Sequence, residues 1–340
     1  MKRVNLILFF VLLFSKELFS QDINFSQFYE LPLLRNPSLA GIYKGDMRIT
    51  SAFRNQWQSV SVPYQSSALG FEIRSSLFKE SSDYFSAGIQ LTNDVAGDSK
   101  LGKTQVLPMF TYHKLIYGPT NTYLSLGFMG GAVQQKFNPS ALRFDDQFQN
   151  GAYTPLNPTS QTFGRTNLTY WDASVGMNLS GEIGFAKGYL GGAYFHFTQP
   201  KVAFNEINDI RLNQKFVFNT GINLPASDYD EMFIYGDLFF QGGNRQIQGG
   251  VMFLHHFQTV GEDESVGMGI GGFYRWNDAF IPVVKFNWYK LSLGVTYDIN
   301  VSKLKPASIY RGGLEIAVSY KAYLNIMNTS LQKVRCIIPF

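Results

Sequence analysis

Tyr170-Trp171-Asp172-Ala173-Ser174-Val175-Gly176-Met177-Asn178-Leu179-Ser180 sorts its side chains into two classes by parity. Trp171, Ala173, Val175, Met177 and Leu179 share one side; Tyr170, Asp172, Ser174, Gly176, Asn178 and Ser180 share the other. Successive side chains of a β-strand point to opposite faces, so this spacing predicts a strand between an apolar and a polar environment. Lys290–Ser302 repeats the split, with Leu291, Leu293, Val295, Tyr297, Ile299 and Val301 opposing Ser292, Gly294, Thr296, Asp298 and Asn300, and Tyr310–Tyr320 does so again. Between turn signals, strands are expected at 47–57, 64–76, 83–94, 101–117, 121–137, 170–180, 184–198, 214–224, 231–242, 245–257, 265–277, 279–288, 290–302 and 309–321. That gives about 14 antiparallel strands, an even number, as single-chain bacterial barrels have.

The ends of the chain agree. Lys2 and Arg3, the apolar run Val4–Phe14 and the site Leu18-Phe19-Ser20 read as an export signal over 1–20, with the mature chain beginning at Gln21 or Asp22. No later run of about 18 apolar residues offers a membrane helix, so a membrane span would have to be built from strands. The only cysteine is Cys336, which excludes a disulfide framework and a lipid-attachment cysteine directly after the signal. Charged residues make up 16% of the chain, against 19 tyrosines and 31 phenylalanines. An ordinary soluble domain carries about 25% charge, whereas a barrel turns apolar side chains to lipid. The net charge of +4 is scattered and gives no nucleic-acid footprint. A soluble β-sandwich also alternates and turns every ten residues, but leaves the low charge unexplained, along with aromatics near strand ends such as Trp57, Tyr84, Trp276 and Trp288, where an interfacial girdle is expected.

The expected organisation is a signal at 1–20, an irregular segment at 21–46, a transmembrane barrel at 47–322 and a tail at 323–340. With Met47 opening an upward strand, the long connections 138–169 and 199–213 fall on the outer side and the turns at 118–120, 181–183 and 288–289 on the periplasmic side. Residues 22–46, broken by Pro32, Pro37 and Gly41, could plug the lumen or stay in the periplasm. Asp172, Asp298, Arg311, Glu315 and Lys321 sit on polar faces, where charges can line a pore or fill a closed barrel with salt bridges; the sequence leaves both open.

Chemistry-bearing motifs are scarce. His255 and His256 are adjacent, so on a strand they face opposite sides and cannot hold one ion together, and His113 and His196 have no Cys, Asp or Glu at ligand spacing. Gly267-Met268-Gly269-Ile270-Gly271-Gly272 lacks the following helix of a phosphate-binding loop. Glu262-Asp263-Glu264 reads as a solvated charge cluster. No catalytic set, cofactor site or metal site is expected.

Asp22-Ile23-Asn24-Phe25-Ser26-Gln27-Phe28, then Asn36-Pro37-Ser38-Leu39-Ala40-Gly41, then Arg54-Asn55-Gln56-Trp57 resemble, in order and spacing, the opening of the PorP/SprF family of outer-membrane proteins of the type IX secretion system. Asn93-Asp94-Val95-Ala96-Gly97, His196-Phe197-Thr198-Gln199-Pro200, Tyr297-Asp298 and Gly312-Gly313-Leu314-Glu315-Ile316 extend the resemblance over the mature chain. Two departures stand out. The family usually has Pro where this chain has Ile23, and closes with a Cys-Pro-basic-Phe tail where this chain ends Cys336-Ile337-Ile338-Pro339-Phe340.

The resemblance implies a non-enzymatic barrel of the outer membrane that serves protein export and, in gliding bacteria, delivery of surface adhesins. It also implies partners: periplasmic secretion components including a peptidoglycan-binding lipoprotein, and a cognate secreted protein held through its C-terminal domain. Asn36, Pro37, Gly41, Arg54, Asn55, Gln56 and Trp57 are the candidate partner-binding or plug-anchoring residues. The alternative on the residues alone is a passive or substrate-specific porin.

Overall fold

The computed structural model describes residues 22–324 apart from 59–61, 77–81, 150, 155, 206–207, 261–263 and 304. The expected export signal, Glu262, Asp263, Cys336 and the tail beyond 324 lie outside the described residues.

Fourteen antiparallel strands close into a barrel. They are β1 (Met47–Gln56), β2 (Tyr64–Ser76), β3 (Tyr84–Ala96), β4 (Leu101–Tyr117), β5 (Thr122–Lys136), β8 (Asn167–Ile183), β9 (Ala186–Phe195), β10 (Lys215–Pro225), β11 (Asp230–Gln241), β12 (Asn244–Val260), β13 (Glu264–Arg275), β14 (Ala279–Trp288), β15 (Leu291–Asn300) and β16 (Arg311–Ala322). Two further short strands, β6 (Phe148–Gln149) and β7 (Ala152–Tyr153), form a hairpin within the connection from β5 to β8. Sequence neighbours pair throughout the wall, and the seam closes between β1 and β16 over a continuous register from Met47↔Ala322 to Gln56↔Gly313.

Parity sets what each face meets. In β8 the Trp171 side of the strand faces outward, with Trp171 itself 74% exposed, while Asp172 on the inner side is 4% exposed. Outward residues of the other strands, such as Phe53, Phe110, Phe218, Ile270, Leu293 and Ile316, form an exposed apolar surface around the wall. An apolar face of that extent is stable against hydrocarbon and not against water. No helix among the described residues is long and apolar enough to cross a membrane, which says nothing against strands doing so.

The chain enters β1 and leaves β16 at one end, called here the termini end. The long connections from β5 to β8 and from β9 to β10 lie at the other, the loop end. Residues 22–46 run through the lumen between the two. Asp22 meets Gln241, where β11 ends at the loop end, and Asp46 bonds Ala322, where β16 ends at the termini end. Three 3-10 turns, Phe28–Glu30, Pro32–Leu34 and Pro37–Leu39, shape this plug. The apolar core lies where plug meets wall: Phe28, Tyr29, Leu39 and Ile42 pack against Tyr235, Phe273 and Ile281, and Phe25 and Leu31 pack against Ala52, Ala68 and Ala317.

Two expectations are corrected. Tyr84 is not part of an outer girdle: it is buried in the lumen and stacks on His113 at a centroid distance of 3.9 Å, because its parity is that of the inward residues Ser86, Gln90 and Thr92. Arg311, at the loop-end start of β16, is exposed and does not line the lumen. Trp276 and Trp288 are exposed as a girdle requires.

Candidate functional site: a plug locked to the barrel wall

The plug is held by three kinds of contact, each prepared by local sequence. The first is a set of buried ion pairs. Arg35 places its Nε 2.9 and 3.0 Å from the two Asp237 oxygens and Nη2 at 2.5 Å, while Nη1 donates to the Tyr189 hydroxyl at 2.7 Å. Arg54 donates to the carbonyl of Asn24 and, at 2.7 Å, to Asp298. Asp298 also takes a bond from Arg275 and from the Ser26 hydroxyl at 2.5 Å. Glu30 pairs with Lys285. Removing one partner from such a pair strands a charge in a low-dielectric interior.

The second is a geometric lock. Asn36 caps the Pro37–Leu39 turn by accepting from the Ser38 amide at 2.9 Å. Its Nδ2 reaches the carbonyls of Met177 and Gly192 and the side chain of Asn219. Pro37 fixes its own φ, and its carbonyl accepts from Thr111 at 2.8 Å. The turn fits a notch made by Gly127 of β5 and Gly176 of β8, which face each other in the register. A Cβ on Gly176 would stand 1.9 Å from Asn36 Oδ1, and one on Gly127 2.4 Å from the Ser38 nitrogen. Gly41 adopts φ +76°, where a side chain is strained, and a Cβ there would meet Ser86 Oγ at 1.8 Å. Its amide donates to Glu72, which also binds Arg48 at 2.7 Å.

The third is an ionic clasp at the loop end. His196 donates from Nδ1 to Asp172 at 2.6 Å and from Nε2 to Asp22 at 2.5 Å. Carboxylates only accept, so both ring nitrogens carry protons and the ring is cationic. Burial works against that charge, but the two carboxylates outweigh it and hold His196 up at about 9. Burial likewise opposes ionisation of Asp22, and Lys103, His196 and Lys215 overcome it, keeping its carboxyl well below the usual range. Sequence spacing missed this cluster because Asp22 and His196 are 174 residues apart. Asp172 was visible as a luminal charge, but its partners were not.

The seven candidate residues therefore fall in two places. Asn36, Pro37, Gly41 and Arg54 are buried where plug and wall touch. Asn55, Gln56 and Trp57 lie at the loop end: Asn55 bonds Gln58, and Gln56 and Trp57 border a cavity of about 700 Å³ there, together with Arg245 and Trp276. Trp57 has φ +61° and packs edge-on against Tyr64. His113 is buried between Ser86 and Ser125. His255 bonds Asp230, and His256 bonds Ser265 and Glu231, so the adjacent histidines take separate partners. Among the described residues no group of three or more His, Cys, Asp or Glu is placed to hold a metal ion.

Residues 17–320 match the family described as type IX secretion system membrane protein PorP/SprF. The chain belongs to the PorP/SprF family. It is thus an outer-membrane β-barrel component of type IX secretion, and that family is a class of secretion membrane proteins, not of enzymes. No curated protein sequence matches it. Solved barrels similar to this PorP/SprF protein include the Ralstonia pickettii toluene transporter TbuX (9% identity, TM-score 0.45, covering 85% of this chain and 92% of that one). The CymD monoaromatic hydrocarbon channel is comparable (10% identity, TM-score 0.45, 87% and 94%). BamA from Haemophilus ducreyi lacking POTRA domains 1–3 follows at 7% identity, TM-score 0.39, 81% and 70%.

Proposed function

We propose that this barrel supports export and surface attachment of a cognate adhesin-like protein, bound through that protein's C-terminal domain, while its periplasmic face contacts secretion and gliding machinery, including a peptidoglycan-binding lipoprotein. The observation that carries the reading is the occupied lumen. Residues 22–46 fill it and are fixed to the wall by buried ion pairs such as Arg35–Asp237 and Arg54–Asp298. A barrel filled in this way is a rigid platform with two faces, suited to holding partners at each end. In this reading the loop end faces outward and presents Asn55, Gln56 and Trp57 to the cargo, while Asn36, Pro37, Gly41 and Arg54 keep the platform rigid.

The test is affinity purification of a tagged copy from native outer membranes in mild detergent, with mass spectrometry. Recovery of periplasmic secretion components and one large surface protein, with loss of the surface protein alone in Trp57→Ala, is the expected result. A barrel that purifies alone and conducts ions in planar bilayers would instead establish a porin.

A further inference from the structure

A second cavity, of about 540 Å³, lies at the termini end. Lys44, ahead of β1, and Lys290, in the turn between β14 and β15, border it together with Lys285 of β14 and Lys321 of β16. Two carboxylates, Asp228 and Glu231, are also in the lining. Of these, Glu231 already has His256 at 3.4 Å. Glu30 of the plug is paired with Lys285. Phe233 and Tyr235 give the cavity an apolar floor continuous with the plug core. The volume is in the range of about 300–1,000 Å³ that accommodates a small ligand or a few side chains.

One polar atom narrows the chemistry. Asn223 in the lining is 4% exposed. Its Oδ1 is left buried without a partner. That oxygen only accepts, so the group that satisfies it must bring a donor, which a fully ionised inorganic anion lacks. A peptide brings an N–H for the amide oxygen, carboxylates for the lysines and an apolar side chain for the floor.

We propose that this cavity receives an acidic peptide segment of a partner protein, with an apolar side chain on Phe233 and Tyr235 and carboxylates among Lys44, Lys285, Lys290 and Lys321. The site lies at the opposite end of the barrel from Trp57 and is independent of which cargo, if any, binds there.

The test uses the full-length barrel in detergent and a fluorescein-labelled hexapeptide alternating Glu and Leu, with the Lys/Leu peptide as control, read by anisotropy at low salt. The acidic peptide is expected to bind at least about tenfold more tightly than its basic counterpart and to weaken as salt rises. Lys44→Glu combined with Lys290→Glu should lower its affinity about tenfold or more, since both lysines lie outside the strands and act on the ligand's charge. Heat-modifiable gel mobility verifies that each variant is folded, and the Lys44→Gln/Lys290→Gln pair, expected to give a smaller loss, serves if the charge reversal does not fold. Equal binding of the two peptides, or an affinity unchanged in folded variants, overturns the proposal. So does lysine-dependent binding to phosphatidylglycerol vesicles without binding of the peptide, which would assign the site to lipid.

Discussion

The two ends of the plug's grip are built on different physics. Around Asn36–Gly41 the hold is mainly steric: a capped turn in a glycine notch, backbone carbonyls on an amide, and one backbone conformation that excludes side chains, with the Gly41 amide on Glu72 as its one contact to a charge. At Asp22 the hold is ionic, a carboxylate among His196, Lys103 and Lys215. A steric lock is indifferent to solution conditions and fails only when its shape is changed. An ionic clasp can be opened by taking a proton from His196 or giving one to Asp22, so the same segment can be released at one end and remain seated at the other.

Substitutions can separate the two. Arg35→Met should have the largest effect, about 3–5 kcal/mol in urea unfolding of the detergent-held barrel, because Asp237 is left buried and uncompensated. Replacing both residues by apolar ones should restore much of that loss. Gly41→Ala follows at about 2–4 kcal/mol, combining overpacking against Ser86 with positive φ. Asn36→Ala should cost about 1–3 kcal/mol, since it removes a turn cap and strands the Met177 and Gly192 acceptors. If Gly41→Ala proves neutral, the steric half of the comparison is wrong.

The clasp should respond to pH with the smallest change in the barrel itself. His196 is raised from 6.5 to about 9, so its contribution is complete below about 6.5 and fades as pH rises through 9. Asp22 is depressed, so its contribution is complete above about 3.8 and fades as pH falls below that value. The clasp is therefore tightest between these limits. A fluorophore-reactive cysteine placed at Ile23 should become labelled above pH 9 while one at Ser38 stays protected. Simultaneous exposure of both would merge the two grips into one.

The wall was legible in the sequence because parity is a local property. Trp171 through Ser180 declares its two faces without reference to any other strand, and all fourteen expected strands appear with ends displaced by a few residues. Where residue type was weighed above parity the reading failed: Tyr84 looked like an interfacial aromatic, but it stands two residues from inward Ser86. The β6–β7 hairpin escaped notice because two-residue strands carry no period. The plug contacts were illegible for a different reason. Breakers at Pro32, Pro37 and Gly41 announce an ordered irregular segment, but its partners, such as Asp237 for Arg35 and Glu315 for Ser26, are more than two hundred residues away. Only the closed topology brings them together.

That topology also ties the plug to the seam of the barrel. Ser26 and Gln27 bond Glu315 of β16, while Gly41 and Tyr43 bond Glu72 of β2, so the plug touches strands on both sides of the β1–β16 seam. The Glu315 carboxylate of the last strand of the barrel is the same one that takes hold of the earliest part of the described chain, so the grip on the plug and the closing of the seam draw on one side chain.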